Sequence, residues 1–508
     1  MSDAATYEPS GGYRLPDGIQ EVSPDLLARL LHDYGTNRLP RLARLRRMYE
    51  GDHDVLHLPP KEAYKPDNRL VANYARQIVD SMVGYFLGVP VRISGDDEAA
   101  VSWLSDWGAL NDADDLNAEL SKVADVYGCS YELMWRDSGA NPRSSVVGPM
   151  NCFVVRDDTV DGRILFAVRF WVDDNRFDGR PDTTRGTLYD SAYETPFELA
   201  GGTVRFGEAM PHGFPDVPVV EYVDNEERQG LFEPVMSIID AHDKALSEKA
   251  NDVEYYADAY LKVLGAELDD KTLANLRDSR IINLSGRDTS GVVVDFLSKP
   301  DADGTQEHLI DRLERLIFTL SMVSDLSSES FDTSSGIAIK YRLQAMSDLA
   351  LVKERKFRRG LSRRWRLLSG YAATPLADDA WINIRATFTR NLPSNLLEES
   401  QIAENLSGIT SEETQLSVLS CVGSPADEMA RKEREREAQV QSLAPSRGGL
   451  TSLNGAQTQS LLSVIAQFSA GTLSEAQAAG VIATSIGISR DEARDVLLGL
   501  TPETTDAP

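Results

Sequence analysis

A chain of 508 residues and 55.9 kDa is too long for one compact core and points to about two to four units. Apolar residues make up 42% and charged residues 26%, a balance that excludes wholesale disorder. With 52 basic against 80 acidic side chains the formal charge is −28, which disfavours a surface that simply grips nucleic acid along its length.

Three cysteines, Cys129, Cys152 and Cys421, form an odd, scattered set from which neither a disulfide framework nor a metal site follows. Residues 1–18 are polar, with Asp3, Glu8, Pro9 and Gly11-Gly12, and read as a loose arm rather than a signal peptide. The most apolar stretch, 78–91, is broken by Asp80 and Pro90 and falls short of the roughly 18 residues that span a bilayer. A soluble, intracellularly made protein without a membrane partner is expected.

In chain order, residues 24–50 read as one helix, with Ser23 as cap, Pro24 in the first turn and Leu26, Leu27, Leu30, Leu31 and Tyr34 as its apolar stripe. A second helix is predicted over 70–87, stopped by Gly88-Val89-Pro90, and a third over 116–127. From Tyr131 to Val223 the pattern changes to β-branched and aromatic segments separated by Asp161-Gly162, Asp178-Gly179 and Gly201-Gly202, an antiparallel β-rich block. From Pro234 a 3.6 period runs for close to thirty residues, about 45 Å of helix. A small mixed insert follows over 263–302, with a helix near 269–278 and strands at 280–284 and 292–297. Thr305 can cap another helix aligned on Leu309, Leu313, Leu316, Ile317, Leu320 and Val323. A polar loop over 324–336 leads into a long helix over 337–371. Between Lys340 and Arg366 that helix carries ten Lys/Arg and two acids. Ile382, Ile384, Ala386 and Phe388 alternate as a strand, helices resume at Asn395, 442–449 looks like a linker, and 451–498 reads as a small helical tail.

Enzymatic signatures are absent. The run Gly286-Arg287-Asp288-Thr289-Ser290-Gly291 resembles a P-loop in composition only and reads as a hairpin turn. No nucleophile elbow occurs. His53 and His57 sit four apart, but Gly51 and Pro59-Pro60 make a poor helix and no third ligand is near, so neither metal nor cofactor is expected. The acidic face of 235–261, carrying Asp240, Asp243, Glu248, Asp252, Glu254 and Asp258, is either a solvated surface or the lining of a channel shared by many copies. The basic helix could bind phosphate, with Phe357 and Trp365 interleaved. The preferred reading pairs its cations with acids of neighbouring segments or subunits, a role that suits Arg358, Arg359, Arg363, Arg364 and Arg366 because guanidinium engages carboxylate bidentately.

Several runs in fixed order carry a resemblance. Tyr49-Glu50-Gly51-Asp52-His53, then Asn68-Arg69-Leu70-Val71-Ala72-Asn73-Tyr74 continuing through Gly84 to Pro90, resemble the N-terminal signature of portal proteins of long-tailed double-stranded DNA bacteriophages, the Gp6-like siphovirus family. Asp325-Leu326-Ser327, Ser335 to Leu343 and Glu354-Arg355-Lys356-Phe357 are similar to that family's second marked segment, and Phe388 to Pro393 to the segment that leads into its crown.

The resemblance implies an α+β portal fold in a ring of about twelve subunits at one capsid vertex. It places a wing at 1–230, a first stem helix at 231–262, a clip at 263–302, a second stem helix at 303–324, a long wing helix and strand at 337–395, a crown at 396–445 and a helical tail at 446–508. The tunnel loop would be 325–336, with Asp325, Ser327, Ser328, Glu329, Ser330, Phe331 and Asp332 projecting toward DNA. Implied partners are double-stranded DNA passing without sequence recognition, the large terminase, a head–tail adaptor, and the major capsid and scaffolding proteins. Assembly would occur in the host bacterial cytoplasm. Walls rich in carboxylate would let DNA slide, because each phosphate contact adds affinity. The rival readings are another head–tail connector protein or a packaging-motor component; the missing P-loop argues against the motor.

Overall fold

The computed structural model describes residues 6–7, 12–16, 22–62, 65–173, 183–257, 261–264, 293–296, 303–325, 341, 343–391, 396–419, 421–422, 425–442 and 455–499. The chain divides into two compact units, Met1–Pro393 and Ser394–Pro508.

The first unit opens with β1 (Thr6–Tyr7) and β2 (Tyr13–Leu15). The stretch expected as a loose arm is therefore part of a sheet. Tyr13 and Leu15 flank Arg14 and are buried, an alternation too short to stand out in the sequence. Helix α1 (Pro24–Asp33) begins where Ser23 Oγ accepts the Leu26 N–H at 3.2 Å. The single helix expected over 24–50 is interrupted by a π-helical stretch, Tyr34–Arg38, before α2 (Leu39–Glu50). Pro40 has no N–H to give to the preceding turn, and the Leu39 N–H just before it closes the wider turn on the Tyr34 carbonyl. Helix α3 (Tyr74–Leu87) starts four residues later than expected because Asn73 caps it, accepting the Arg76 N–H at 3.0 Å. Strand β3 (Arg92–Ser94), the unanticipated helix α4 (Glu98–Leu110, capped by Asp97) and α5 (Ala113–Tyr127) complete the helical part.

The β-rich block holds β4 (Cys129–Arg136), β5 (Pro142–Val147), β6 (Cys152–Asp157), β7 (Ile164–Asp173), β8 (Thr183–Tyr189), β9 (Tyr193–Ala200), β10 (Thr203–Phe206), β11 (Met210–Pro211) and β12 (Val219–Val223). The larger sheet runs β1-β2-β6-β7-β8-β9-β10 with β11 on β9, antiparallel except for β2 beside β6. One face packs Phe153, Val155, Phe166, Val168 and Phe170 on the α1 leucines. The smaller sheet runs β12-β4-β5.

After Val235 the chain enters α6 (Met236–Ala257), then β13 (Leu261–Leu264), β14 (Val293–Phe296) and α7 (Asp303–Ser321). Strands β13 and β14 pair antiparallel. Gln306 Nε2 donates to Asp252 Oδ2 at 2.8 Å and Lys249 pairs with Glu307, while Tyr74 stacks edge-on against both His242 and Phe318, so α6 and α7 run antiparallel. Residues 261–262, expected to end the helix, and 263–264, expected to open the insert, together form strand β13. The helix expected at 269–278, the strand at 280–284 and the turn at 286–291 lie outside the described residues.

Helix α8 (Gln344–Ser369) crosses β12, and Gly360 makes that crossing close: a Cβ there would sit 2.3 Å from Tyr222 Cε1. The expected strand over 382–388 is shorter. A 3₁₀ turn, Ala380–Asn383, precedes β15 (Arg385–Thr387), which pairs with β3. In the second unit, α9 (Leu396–Asn405), α10 (Glu412–Ser417) and α11 (Pro425–Ser442) are followed by α12 (Gly455–Ser469), α13 (Glu475–Ile486) and α14 (Arg490–Leu498). The last three share a small core of Ala479, Ile482 and Ala493.

Candidate functional site

Residues 68–72 run extended along α6. The Asn68, Leu70 and Ala72 N–H groups donate to Asn251 Oδ1 at 2.6 Å, Ser247 Oγ at 2.9 Å and Asp243 Oδ1 at 2.9 Å. Two extended residues advance about 6.6 Å and four helical residues about 6 Å, so every second backbone donor meets a side chain one turn further along the helix. A segment without strand partners thus satisfies its backbone against a helix ridge.

The same ridge holds a buried ion pair. Asp243 Oδ2 lies 2.5 Å from His53 Nδ1, and His53 Nε2 lies 2.9 Å from the Met48 carbonyl oxygen. Both partners are acceptors, so both ring nitrogens donate and the imidazole is held as a cation. Burial opposes that charge, but Asp243 and the Met48 carbonyl carry the His53 pKa above its ordinary value. His242, one residue from Asp243, goes the other way: burial lowers it against the pull of Asp243 and Glu314.

This geometry revises the expected channel lining. Asp243 has no exposed side-chain surface and is removed from any wall. Asp240 pairs with Arg44 at 2.9 Å, Glu248 with Lys61 at 2.9 Å, Asp252 takes the Gln306 amide, and Glu254 accepts from Asn68 Nδ2 at 2.5 Å. These carboxylates fasten α6 to the body and to α7. Asp258 lies outside the described residues.

The basic helix divides in the same manner. Lys353 is buried against Asp125 at 2.5 Å and Asp224 at 3.3 Å. Arg364 is buried against Glu132 at 2.8 Å and donates to Asn117 Oδ1 at 2.8 Å, while Tyr222 Oη and Ser144 Oγ donate to the same Glu132. Arg363 reaches Asp216 at 3.1 Å and the Val217 and Val219 carbonyls. Arg363 and Arg364, expected between subunits, thus serve their own chain. The reason is position: 353, 357, 361, 364 and 368 share the inward face of α8. Arg358 pairs with Glu354 one turn away, whereas Arg359 and Arg366 are exposed and have no ion-pair partner among the described residues. Of the expected tunnel loop only Asp325 is described, half-buried after α7; Ser327, Ser328, Glu329, Ser330, Phe331 and Asp332 lie outside the described residues. Among the described residues no group of His, Cys, Asp or Glu could hold a metal, and no helix is long and apolar enough to cross a membrane.

The sequence model of the family described as "Phage portal protein, SPP1 Gp6-like" matches residues 29–442. The chain belongs to that portal family. Its members are structural, non-enzymatic proteins of the virion, and the head–tail connector of a bacteriophage is the setting the family implies. The portal protein of Bacillus phage SPP1 is 24% identical over 397 residues, 73% of this chain and 76% of that protein. The portal protein of Clostridium phage phiCD119 is 25% identical over 205 residues, 39% and 44% of the two chains. A chain in a solved "Neck of empty GTA particle computed with C6 symmetry" aligns over 78% of this chain and 99% of its own length, at 13% identity and a TM-score of 0.45.

Within this portal-family chain, the run 68–74 is the segment laid along α6 and the run 49–53 supplies His53. Sequence reasoning found both runs by resemblance but missed what they do. Backbone N–H donors leave no mark in a sequence, and His53 meets its carboxylate 190 positions away.

Proposed function

We propose that about twelve copies of this chain form a ring at one capsid vertex, through which double-stranded DNA is packaged and ejected. In this reading α6 and α7 are the stem, the β13–β14 strand pair begins the clip that meets terminase and later the adaptor, the 325–336 loop faces DNA, and 396–445 forms the crown inside the head. Major capsid and scaffolding proteins surround the ring, whose assembly in the host cytoplasm initiates the head.

The observation that carries the proposal is the family match across 29–442, taken with an antiparallel helix pair followed by the antiparallel strand pair β13–β14. The pair leaves Val253, Leu309 and Leu320 exposed on the subunit, apolar surface that neighbouring copies would cover. A net charge of −28 repeated around a ring disfavours retention of DNA through phosphate contacts. Negative-stain microscopy of the purified full chain tests the reading. Annular particles with an open centre support it, and particles that stay monomeric under assembly conditions overturn it.

A further inference from the structure

A cavity of about 600 Å³ opens where α8 passes the end of β12 and the turn between β6 and β7. Lys356, Arg359, Arg363 and Arg366, spaced three and four apart, form one wall. Eight Lys/Arg and four Asp/Glu line the whole, a cationic excess in a chain of the opposite sign. Most of the acids are committed: Glu221 to Arg156 at 2.5 Å and Arg228 at 3.0 Å, Asp216 to Arg363 at 3.1 Å, and Glu226 to Lys356. Asp161 is exposed on the rim, and Glu226, paired first with Lys356, also feels the charge of Arg359; Arg366 has no ion-pair partner among the described residues.

Crowding of like charge is felt at Arg363. Burial holds its guanidinium below the ordinary range; Asp216 opposes this, and Arg156 and Arg366 add to it. An anion seated beside Arg359 and Arg366 would relieve that crowding. A cavity of this size takes a few side chains of a loop, not a duplex. Carboxylates of the right kind stand on the same chain: Asp112, Asp114 and Asp115, at the start of α5, are exposed and have no partner among the described residues.

We propose that this cavity receives a carboxylate-rich segment of a second copy of the chain, with Arg359 and Arg366 as its receptors. One surface gives the cations and another the acids, so the contact is heterologous, the kind that closes into rings when the rotation allows. The inference rests on the ring reading above and identifies one of its contacts.

The test reverses both receptors, Arg359→Glu with Arg366→Glu, and compares the assembled fraction with wild type by negative stain and sedimentation. The double variant loses assembly at least about tenfold, since like charge across an interface costs several kcal/mol. Its thermal melt as a monomer is unchanged, because both side chains are solvent-exposed. A carbodiimide, which joins amines to carboxylates without a spacer, is then applied to assemblies mixed from isotope-labelled and unlabelled copies. Mixed-isotope links from Lys356 to a carboxylate of the other copy support the assignment. Intact assembly in the double variant overturns it. So does loss of binding to inorganic phosphate or a short oligonucleotide while assembly survives, an outcome that gives the cavity to phosphate. Wild type that never assembles defeats the ring reading and this one together; assembly in both proteins defeats this one alone.

Discussion

On α6 every described carboxylate of the acidic face turns to a partner in its own chain, whereas on α8 the cations split between an inward face that ties the core together and an outward face on which Arg359 and Arg366 have no ion-pair partner among the described residues. The formal charges of the two helices would suggest mirror-image roles. Their surroundings decide otherwise, because α6 has an extended segment and a second helix laid along it while α8 has β12 beneath it and the open cavity beside it. A charge run in a sequence therefore says how much charge is present, not which way it faces.

The inward face of α8 is where this contrast is easiest to break. Arg364→Ala leaves Glu132 buried without its counter-ion, and urea denaturation of the subunit is expected to show a loss of about 3–5 kcal/mol. Arg359→Ala in the same assay serves as the control on the outward face and moves the midpoint little.

The ridge of α6 gives the intermediate effect, and it depends on pH. His53 has a raised folded pKa, so its contribution is full below about 6.5 and fades as pH rises through the folded value. His242 has a lowered folded pKa; as a base buried neutral, it contributes above about 6.5 and loses that contribution as pH falls. The groups facing them are Asp243, Asp240 and the Met48 carbonyl for His53, and Asp243 and Glu314 for His242. Stability measured against pH should thus fall on both sides. His53→Gln, which can still donate to Asp243, should cost about 1.5–3 kcal/mol near pH 6 and flatten the alkaline limb while leaving the acid limb in place. A profile whose alkaline limb is unchanged in the variant would remove the His53–Asp243 pair from the account.

The smallest effect belongs to the exposed end of the same ridge. Lys61→Ala removes a solvent-screened partner of Glu248 and should cost no more than about 1 kcal/mol, shrinking further in high salt. A larger loss would mean that the extended segment 68–72 depends on this outer pair as well as on its own backbone bonds.

Much of the architecture was legible beforehand for reasons tied to particular residues. Leu26, Leu27, Leu30 and Leu31 mark the buried stripe of α1, and Ser23 its start. The β-branched runs between Gly turns mark the sheets, and the long 3.6 period marks α6. What could not be read were features that depend on a distant neighbour. The sequence does not show that Asp243 is sealed beneath His53, that Arg364 enters the core to meet Glu132, or that Tyr13 and Leu15 join β6 as a parallel strand.

Order, periodicity and net charge were thus determined by the chain itself, because helix faces, turns and composition are local properties carried by neighbouring residues. Which charges are spent and which stay available was decided only by the tertiary structure. A carboxylate or guanidinium becomes a fastener or a free contact according to what folding brings within about 3 Å of it, and that distance joins residues hundreds of positions apart.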